Sequence, residues 1–181
     1  MPDERLILDH VYDHEARQPG RIYLTQPLGG GQVVDYTWGQ VMNQARRMAA
    51  HLQAQGLPRG SRVAILSKNC AHFIIAELAI WMAGCTTVAI FPTERAVTVR
   101  YVLDHSEAKL LFVGKLDTCQ EQRAGVPEGL PCIALPLAPP TPYETWDGIV
   151  ARTAALAERP ARSAAERAQL LEALRPVTAV I

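Results

Sequence analysis

The chain has 181 residues, of which 49% are hydrophobic and 20% are charged, a composition typical of one globular domain and unlike that of disordered or fibrous proteins. Eighteen Lys and Arg residues balance eighteen Asp and Glu residues, so the formal net charge is zero. Because no block of basic residues could follow a phosphate backbone, we expect no nucleic-acid partner.

Four widely separated cysteines occur, with no C-x-x-C pair among them: Cys70, Cys85, Cys119 and Cys132. This spacing is typical of reduced thiols in a cytoplasmic protein. The N-terminus is acidic where a signal peptide needs a basic segment. The longest apolar segment, 73–85, is interrupted by Glu77 and is shorter than the roughly 20 residues that span a bilayer. We therefore predict a cytoplasmic protein with no transmembrane segment.

The N-terminal part of the chain combines helical and strand patterns. The predicted elements are a helix at 5–17, two short strands at 21–25 and 33–36, and a helix between Thr37 and Gly56. The strands flank three consecutive glycines, 29–31, which predicts a β-hairpin. Thr37 is of the type that caps a helix N-terminus, because its hydroxyl accepts a backbone N–H.

From residue 62 onward, strands and helices alternate. The predicted strands are 62–67, 86–91, 110–113 and 132–135, and the helices between and after them include 96–105 and 116–123. The helix between Asn69 and Gly84 is apolar nearly all round, so we expect it to be buried, with Asn69 as its N-cap. Alternation at this spacing predicts a parallel sheet covered by helices on both faces.

The C-terminal part begins with an extended proline-rich surface link at 136–142. Two further helices are predicted at 143–158 and 164–174, followed by a final apolar run at 177–181. All of these elements fit one α/β domain.

Three segments carry a family signature: the strand with its flanks at 60–68, the sequence AGCTTVAIFPT at 83–93, and Tyr36-Thr37-Trp38. In their chain order and at their spacing, these segments resemble the first two core motifs of the adenylate-forming superfamily, which contains acyl-CoA synthetases, luciferases and peptide-synthetase adenylation domains. SKN followed by the AIWMAG helix, and HSEAKLLFVGKLD at 105–117, are most similar to bacterial long-chain fatty acid CoA ligases. The resemblance implies the N-terminal subdomain of that fold: an α/β unit with a mostly parallel sheet, helices on both faces and a small N-terminal β-hairpin.

The resemblance also implies an ATP-dependent activity for a longer protein. In this superfamily, a Ser/Thr/Gly-rich phosphate loop ending in Lys follows a strand similar to 177–181, and its backbone N–H groups hold ATP phosphates. We therefore expect 1–181 to be one N-terminal subdomain, truncated before the phosphate-binding loop and inactive alone. The complete enzyme would use ATP, CoA and Mg²⁺ to join a fatty acid to CoA, releasing AMP and pyrophosphate. No cofactor is expected to bind this fragment.

One segment is expected to contact CoA. By similarity to acyl-CoA synthetases, Phe91, Pro92 and Thr93 lie beside the channel through which CoA reaches the acyl-adenylate, and they are the candidate cofactor-binding residues. A loop at the carboxyl end of a parallel strand is also where an open α/β sheet places ligands. The alternative is that Phe91 packs in the core and Pro92 only ends a strand. No catalytic residue and no metal ligand is predicted.

Two other patterns favour structural roles over functional ones. The glycines at 29–31 lack the GK[ST] ending and the helix of a phosphate loop, so a hairpin turn is favoured. His10 and His14 are four residues apart and could share a helical face, but no third ligand is close in sequence, so a solvated face is favoured over a metal site.

The expected partners are the remainder of the same enzyme and, in the complete protein, a fatty acid and CoA. Apolar surface exposed where that remainder would pack predicts a homo-oligomer. The alternative function is a free-standing flavodoxin-like α/β module that binds a small ligand or another protein. The final apolar run at 177–181 favours the first hypothesis, because a self-contained module is not expected to end on a bare apolar strand.

Overall fold

The structure, a computed structural model, describes residues 5–156 of the chain. In chain order its elements are α1 (Ile7–Arg17), β1 (Ile22–Gly29), β2 (Gln32–Thr37), α2 (Trp38–Ala54), β3 (Arg62–Leu66), α3 (Ala71–Met82), β4 (Thr86–Ile90), α4 (Ala96–Ser106), β5 (Leu110–Val113), α5 (Cys119–Arg123), β6 (Cys132–Ala134), β7 (Glu144–Thr145) and α6 (Trp146–Arg152). None of the helices described is both long and apolar enough to cross a membrane.

Five strands form one parallel sheet in the order β4-β3-β5-β6-β7. Strand β3 is central and pairs on both sides: Val63 is opposite Thr87 of β4 and Leu110 of β5. Consecutive parallel strands need a crossover connection, and a helix supplies it after each of β3, β4 and β5. The predicted parallel sheet is therefore confirmed.

Side chains of the central strands alternate between two apolar cores. In β3, Val63 and Ile65 belong to the core beneath α1, α2, α3 and α6, whereas Ala64 and Leu66 belong to the core beneath α4 and α5. Strand β5 divides its four buried residues in the same way. A strand that is apolar at every position is buried on both faces, because successive side chains point to opposite sides. Helices on both faces are confirmed.

Helix α3 is the most apolar helix, as its sequence predicts. Eight of its 12 residues are buried, and none is exposed. The predicted cap is wrong, however, because the N-cap position is Cys70 rather than Asn69, and Cys70 makes no capping bond through its side chain. Instead, Oε1 of Gln26 in β1 accepts the N–H of Ala71 at 2.8 Å. The first turn of α3 is capped from the hairpin, 45 residues earlier.

The hairpin and the start of α2 form as predicted. Strands β1 and β2 are antiparallel, and the three glycines at the turn, 29–31, all have positive φ angles, which glycine adopts without strain. At the next junction, the Thr37 hydroxyl accepts the Gln40 N–H at 3.3 Å, and Oε1 of Gln40 accepts the Thr37 N–H at 2.9 Å. This is a reciprocal capping box, so the capping role of Thr37 is confirmed.

The helix predicted at 143–158 is wrong at both ends. Glu144 and Thr145 form the short strand β7, which pairs with β6, and the helix occupies only Trp146–Arg152. Thr145 has extended backbone, and its hydroxyl accepts the Gly148 N–H at 3.2 Å, so it caps the helix and does not belong to it. The elements predicted at 164–174 and 177–181 lie outside the described residues.

Candidate functional site

All five parallel strands point the same way, so their carboxyl ends share one edge of the sheet. Counted along the chain within this sheet, their order is 2-1-3-4-5, which is the flavodoxin-like order. The helices after β3 and β5 cover opposite faces. The topological switch point, where an open α/β sheet usually binds ligands, therefore lies between β3 and β5.

The loops at this switch point are hydrogen-bonded to each other. The Lys68 N–H donates to the Lys115 carbonyl at 2.8 Å, and the Lys115 N–H donates to the Ser67 hydroxyl oxygen at 3.0 Å. Gly114 packs so closely that a Cβ at its position would lie 2.2 Å from the Ser67 hydroxyl oxygen. These contacts hold the loops after β3 and β5 together at the switch point.

The candidate residues at the end of β4 form a tight turn. The Glu94 N–H donates to the Phe91 carbonyl at 3.2 Å, and Pro92 occupies the second position of the turn, where its fixed φ is favoured. Phe91 is 75% exposed, Thr93 is exposed, and Pro92 is half-buried. Within the described residues Phe91 therefore does not pack in the core. Its ring stands at the carboxyl edge of the sheet, directly after β4.

A residue that sequence reasoning missed holds this turn from below. Gln122 in α5 is 1% exposed, and its Nε2 donates to the carbonyls of Pro92 at 2.8 Å and Glu94 at 3.0 Å. The bonds connect positions about 30 residues apart, so no local pattern indicates them. The sequence shows only a glutamine in a short helix, and the fold decides that this glutamine is buried.

A buried polar and aromatic cluster joins α2, α3 and α6. Oε1 of Gln44 accepts hydrogen bonds from Trp146 Nε1 at 3.0 Å and from His72 Nε2 at 3.1 Å. Because an amide oxygen can only accept, we assign the imidazole proton to Nε2. Tyr36 and Trp146 both meet the imidazole edge-to-face. All of these residues except Trp146 also border a surface cavity of about 420 Å³.

The imidazole of this cluster is neutral at physiological pH. Burial lowers the pKa of His72 to about 4, and the negative charge of Asp147 opposes that shift without cancelling it. Burial also raises the pKa of Tyr36, with the Asp147 carboxylate adding to the effect. The imidazole therefore does not titrate near pH 7, and its hydrogen bond to Gln44 is retained there.

Comparison with known proteins identifies the family. A model of the AMP-binding enzyme family matches residues 11–169. This chain belongs to the AMP-binding enzyme family. The family predicted from the motifs at 36–38, 60–68 and 83–93 is thereby confirmed.

Members of the AMP-binding family with named activities are similar to this chain over part of their length. The long-chain-fatty-acid–CoA ligase FadD15 of Mycobacterium bovis is 37% identical over 102 residues, covering 56% of this chain and 17% of the relative. The 4-coumarate–CoA ligase-like 9 of Oryza sativa subsp. japonica is 28% identical over 127 residues, covering 70% of this chain and 22% of the relative. The chain thus spans less than a quarter of either protein's length.

A solved structure of an anthranilate CoA ligase, AuaEII, in complex with anthranoyl-AMP has the same fold as this family member. It superposes with a TM-score of 0.72 at 19% identity, covering 87% of this chain and 30% of that one. At that identity the likeness concerns the fold alone.

The remaining polar candidates in this AMP-binding chain have structural surroundings. His14 stacks on Trp38 with ring centroids 5.1 Å apart, while His10 is exposed. Between residues 5 and 156, no three His, Cys, Asp or Glu side chains converge as metal ligands. All four cysteines are free thiols, and burial raises the pKa of Cys132 to about 11, which keeps that thiol protonated.

Proposed function

We propose that residues 1–181 are the N-terminal subdomain of an ATP-dependent fatty acid CoA ligase. The complete enzyme would convert a fatty acid, ATP and CoA into acyl-CoA, AMP and pyrophosphate, with Mg²⁺ as the metal. The match to the AMP-binding family over 11–169 is the observation that carries this proposal. The free thiols are consistent with the cytoplasmic location that we also propose.

The proposed substrate class is a fatty acid rather than an aromatic acid. The bacterial long-chain ligase is 37% identical to this chain, against 28% for the coumarate ligase-like protein. That difference, together with the SKN and HSEAKLLFVGKLD segments, supports the fatty acid. Assay of the complete enzyme with long-chain fatty acids and with aromatic acids would separate the two. Faster thioester formation with coumarate or benzoate would contradict the assignment.

Phe91, Pro92 and Thr93 are proposed to border the path of CoA. Their place at the carboxyl end of β4, the rigidity of a proline-containing turn and the exposure of Phe91 support this role. An exposed aromatic ring on a fixed turn can cover apolar parts of a ligand without first losing much conformational freedom. The remainder of the enzyme would complete the other wall.

The CoA proposal is tested by Phe91→Ala in the complete enzyme. Burying an aromatic side chain contributes about 1.5–3 kcal/mol, so we expect the KM for CoA to rise by about tenfold to a hundredfold. Fatty-acid-dependent exchange of pyrophosphate into ATP reports the step before CoA binds, so its rate should be unchanged. Val97→Ala, at an exposed apolar position of α4, is the matched control. An unchanged KM for CoA would contradict the channel role.

The subdomain proposal is tested on the 181-residue chain itself. We expect no exchange of pyrophosphate into ATP with any fatty acid, because none of its residues is proposed to bind ATP or to act in catalysis. Saturable exchange by the purified chain would contradict the proposal. A fatty-acid-activating preparation that loses activity on further purification would indicate a contaminant and leave the expected result intact.

A further inference from the structure

We propose that Gln122 is a positioning residue for the turn Phe91–Glu94, and that it thereby fixes the wall of the CoA path. The proposal rests on the function proposed above for Phe91, Pro92 and Thr93. It assigns to α5, which contains none of the family motifs, a definite role in that site.

The geometry of the Gln122 amide matches the turn. One –NH₂ group carries two hydrogens, and the two carbonyls that it contacts, those of Pro92 and Glu94, lie at 2.8 and 3.0 Å. These carbonyls belong to the residues on either side of Thr93, so the backbone before and after Thr93 is fixed to one planar amide group. The side chain is 1% exposed, so water does not compete for these bonds.

The orientation of this amide leaves one acceptor unused. Oε1 of Gln122 is buried and has no hydrogen-bond partner within residues 5–156. The opposite orientation would place that oxygen against two carbonyl oxygens and remove both donated bonds. A buried acceptor without a partner is destabilising, and an apolar side chain of similar length would fill this space without it. The contact with the turn is therefore what a glutamine contributes at this position.

Helix α5 is packed tightly against its neighbours, so it can fix the position of the turn. Its last residues lead into Gly125, where a Cβ would lie 2.1 Å from the carbonyl oxygen of Ala96 at the start of α4. Cys119 packs in the core shared by α4 and the sheet. Because Gly125, just after α5, packs against the first residue of α4, and the turn lies between β4 and α4, Gln122 connects elements that the turn must align.

The contacts with Gln122 determine which groups of the turn face outward. The carbonyls of Phe91, Pro92 and Glu94 are occupied by bonds within the protein. The Phe91 ring and the Thr93 side chain remain exposed at the edge of the sheet. Gln122 thus presents a fixed aromatic and hydroxyl pair, and its loss should change the placement of that pair without altering its chemistry.

The first test uses amide hydrogen exchange in the 181-residue chain. Gln122→Met keeps the length of the side chain but removes both donors, and Gln120→Met alters an exposed residue of the same helix. We expect the Glu94 amide, which closes the turn, to exchange about tenfold faster in Gln122→Met and at the wild-type rate in Gln120→Met. Amides of β3 and β5 should remain protected in both, which shows that the variants are folded.

A second variant covers the case in which Gln122→Met does not fold. Gln122→Asn keeps the amide but withdraws it by one methylene, and it should also accelerate exchange at Glu94. Wild-type exchange at Glu94 in a folded variant of either kind would overturn the proposal.

The second test separates positioning from mere stability. In the complete enzyme, Gln122→Met should raise the KM for CoA about tenfold while kcat and acid-dependent pyrophosphate exchange stay at wild-type values. Equal losses in pyrophosphate exchange and thioester formation would overturn the positioning role. If Gln122→Met accelerates exchange at Glu94 but neither it nor Phe91→Ala changes the KM for CoA, the turn is positioned as proposed and the CoA function is wrong.

Discussion

Lowering the pH from 7 to 5 is expected to destabilise the folded chain by about 2 kcal/mol through His72 alone. The imidazole is 4% exposed, and burial lowers its pKa from 6.5 to about 4 in the folded state. In the unfolded chain the pKa returns to about 6.5, so the unfolded state binds more protons throughout this window. The stabilisation is present above the unfolded pKa and is lost as the pH falls towards the folded pKa.

The magnitude follows from the separation of the two pKa values. Each pKa unit corresponds to about 1.4 kcal/mol, so a separation of about 2.5 units gives a limit of about 3.4 kcal/mol below pH 4. At pH 5, the unfolded imidazole is almost fully protonated and the folded one is still mostly neutral, which yields about 2 kcal/mol. Charging the ring would also place a cation beside Trp146 and Tyr36 in a buried cluster.

Urea unfolding at pH 7 and at pH 5 measures this effect when wild type is compared with His72→Gln. Glutamine keeps a side-chain donor for Oε1 of Gln44 but does not titrate, so the variant should lose about 2 kcal/mol less than wild type between these pH values. His10→Gln, at an exposed site in α1, controls for the loss of one histidine. Equal pH dependence in wild type and His72→Gln would refute the reasoning, as would an NMR titration of His72 with a midpoint near 6.5.

Three further predictions concern packing, capping and association. Gly125→Ala should lower the free energy of unfolding by about 1–3 kcal/mol, because its Cβ would collide with the Ala96 carbonyl; Gly20→Ala, where nothing lies within 4 Å, is the control, and equal urea midpoints would contradict the model of packing. Gln26→Leu should cost about 1 kcal/mol by removing the cap of α3, measured in the same way, and no loss of stability would show that the capping bond is unimportant. Light scattering should show a size that increases with concentration, because large apolar side chains are exposed on α4 and in the turn before it; a monomer at every concentration would contradict the predicted homo-oligomer.

Elements whose signals lie within a few residues were predictable. The strand at 110–113 has the predicted bounds, and the helix after Thr37 begins with the capping box that its hydroxyl favours. The apolar composition of α3 correctly indicated that it is buried. In each case the deciding interaction is local, or depends only on how apolar a segment is, and sequence alone contains that information.

The candidate site was predictable only in part. The order of strands and helices placed the residues 91–93 after a parallel strand, and so at the edge where ligands bind. Whether Phe91 is exposed or packed could not be decided from the sequence, because an aromatic residue after a strand occurs in both settings. The structure shows the exposed ring and the closed turn.

What the sequence by itself determined is the alternation of strands and helices, the hairpin and the family, since each depends on periodicity or on short motifs. Only the tertiary structure decided that Gln26 and not Asn69 caps α3, that Glu144 and Thr145 form a strand, and that Gln122 holds the turn after β4. The physical reason is that a backbone N–H or C=O must find a hydrogen-bond partner, and proximity in space decides which partner it finds. Segments far apart in the sequence, such as the 45 residues between Gln26 and Ala71 or the 30 between Gln122 and Pro92, become neighbours only on folding.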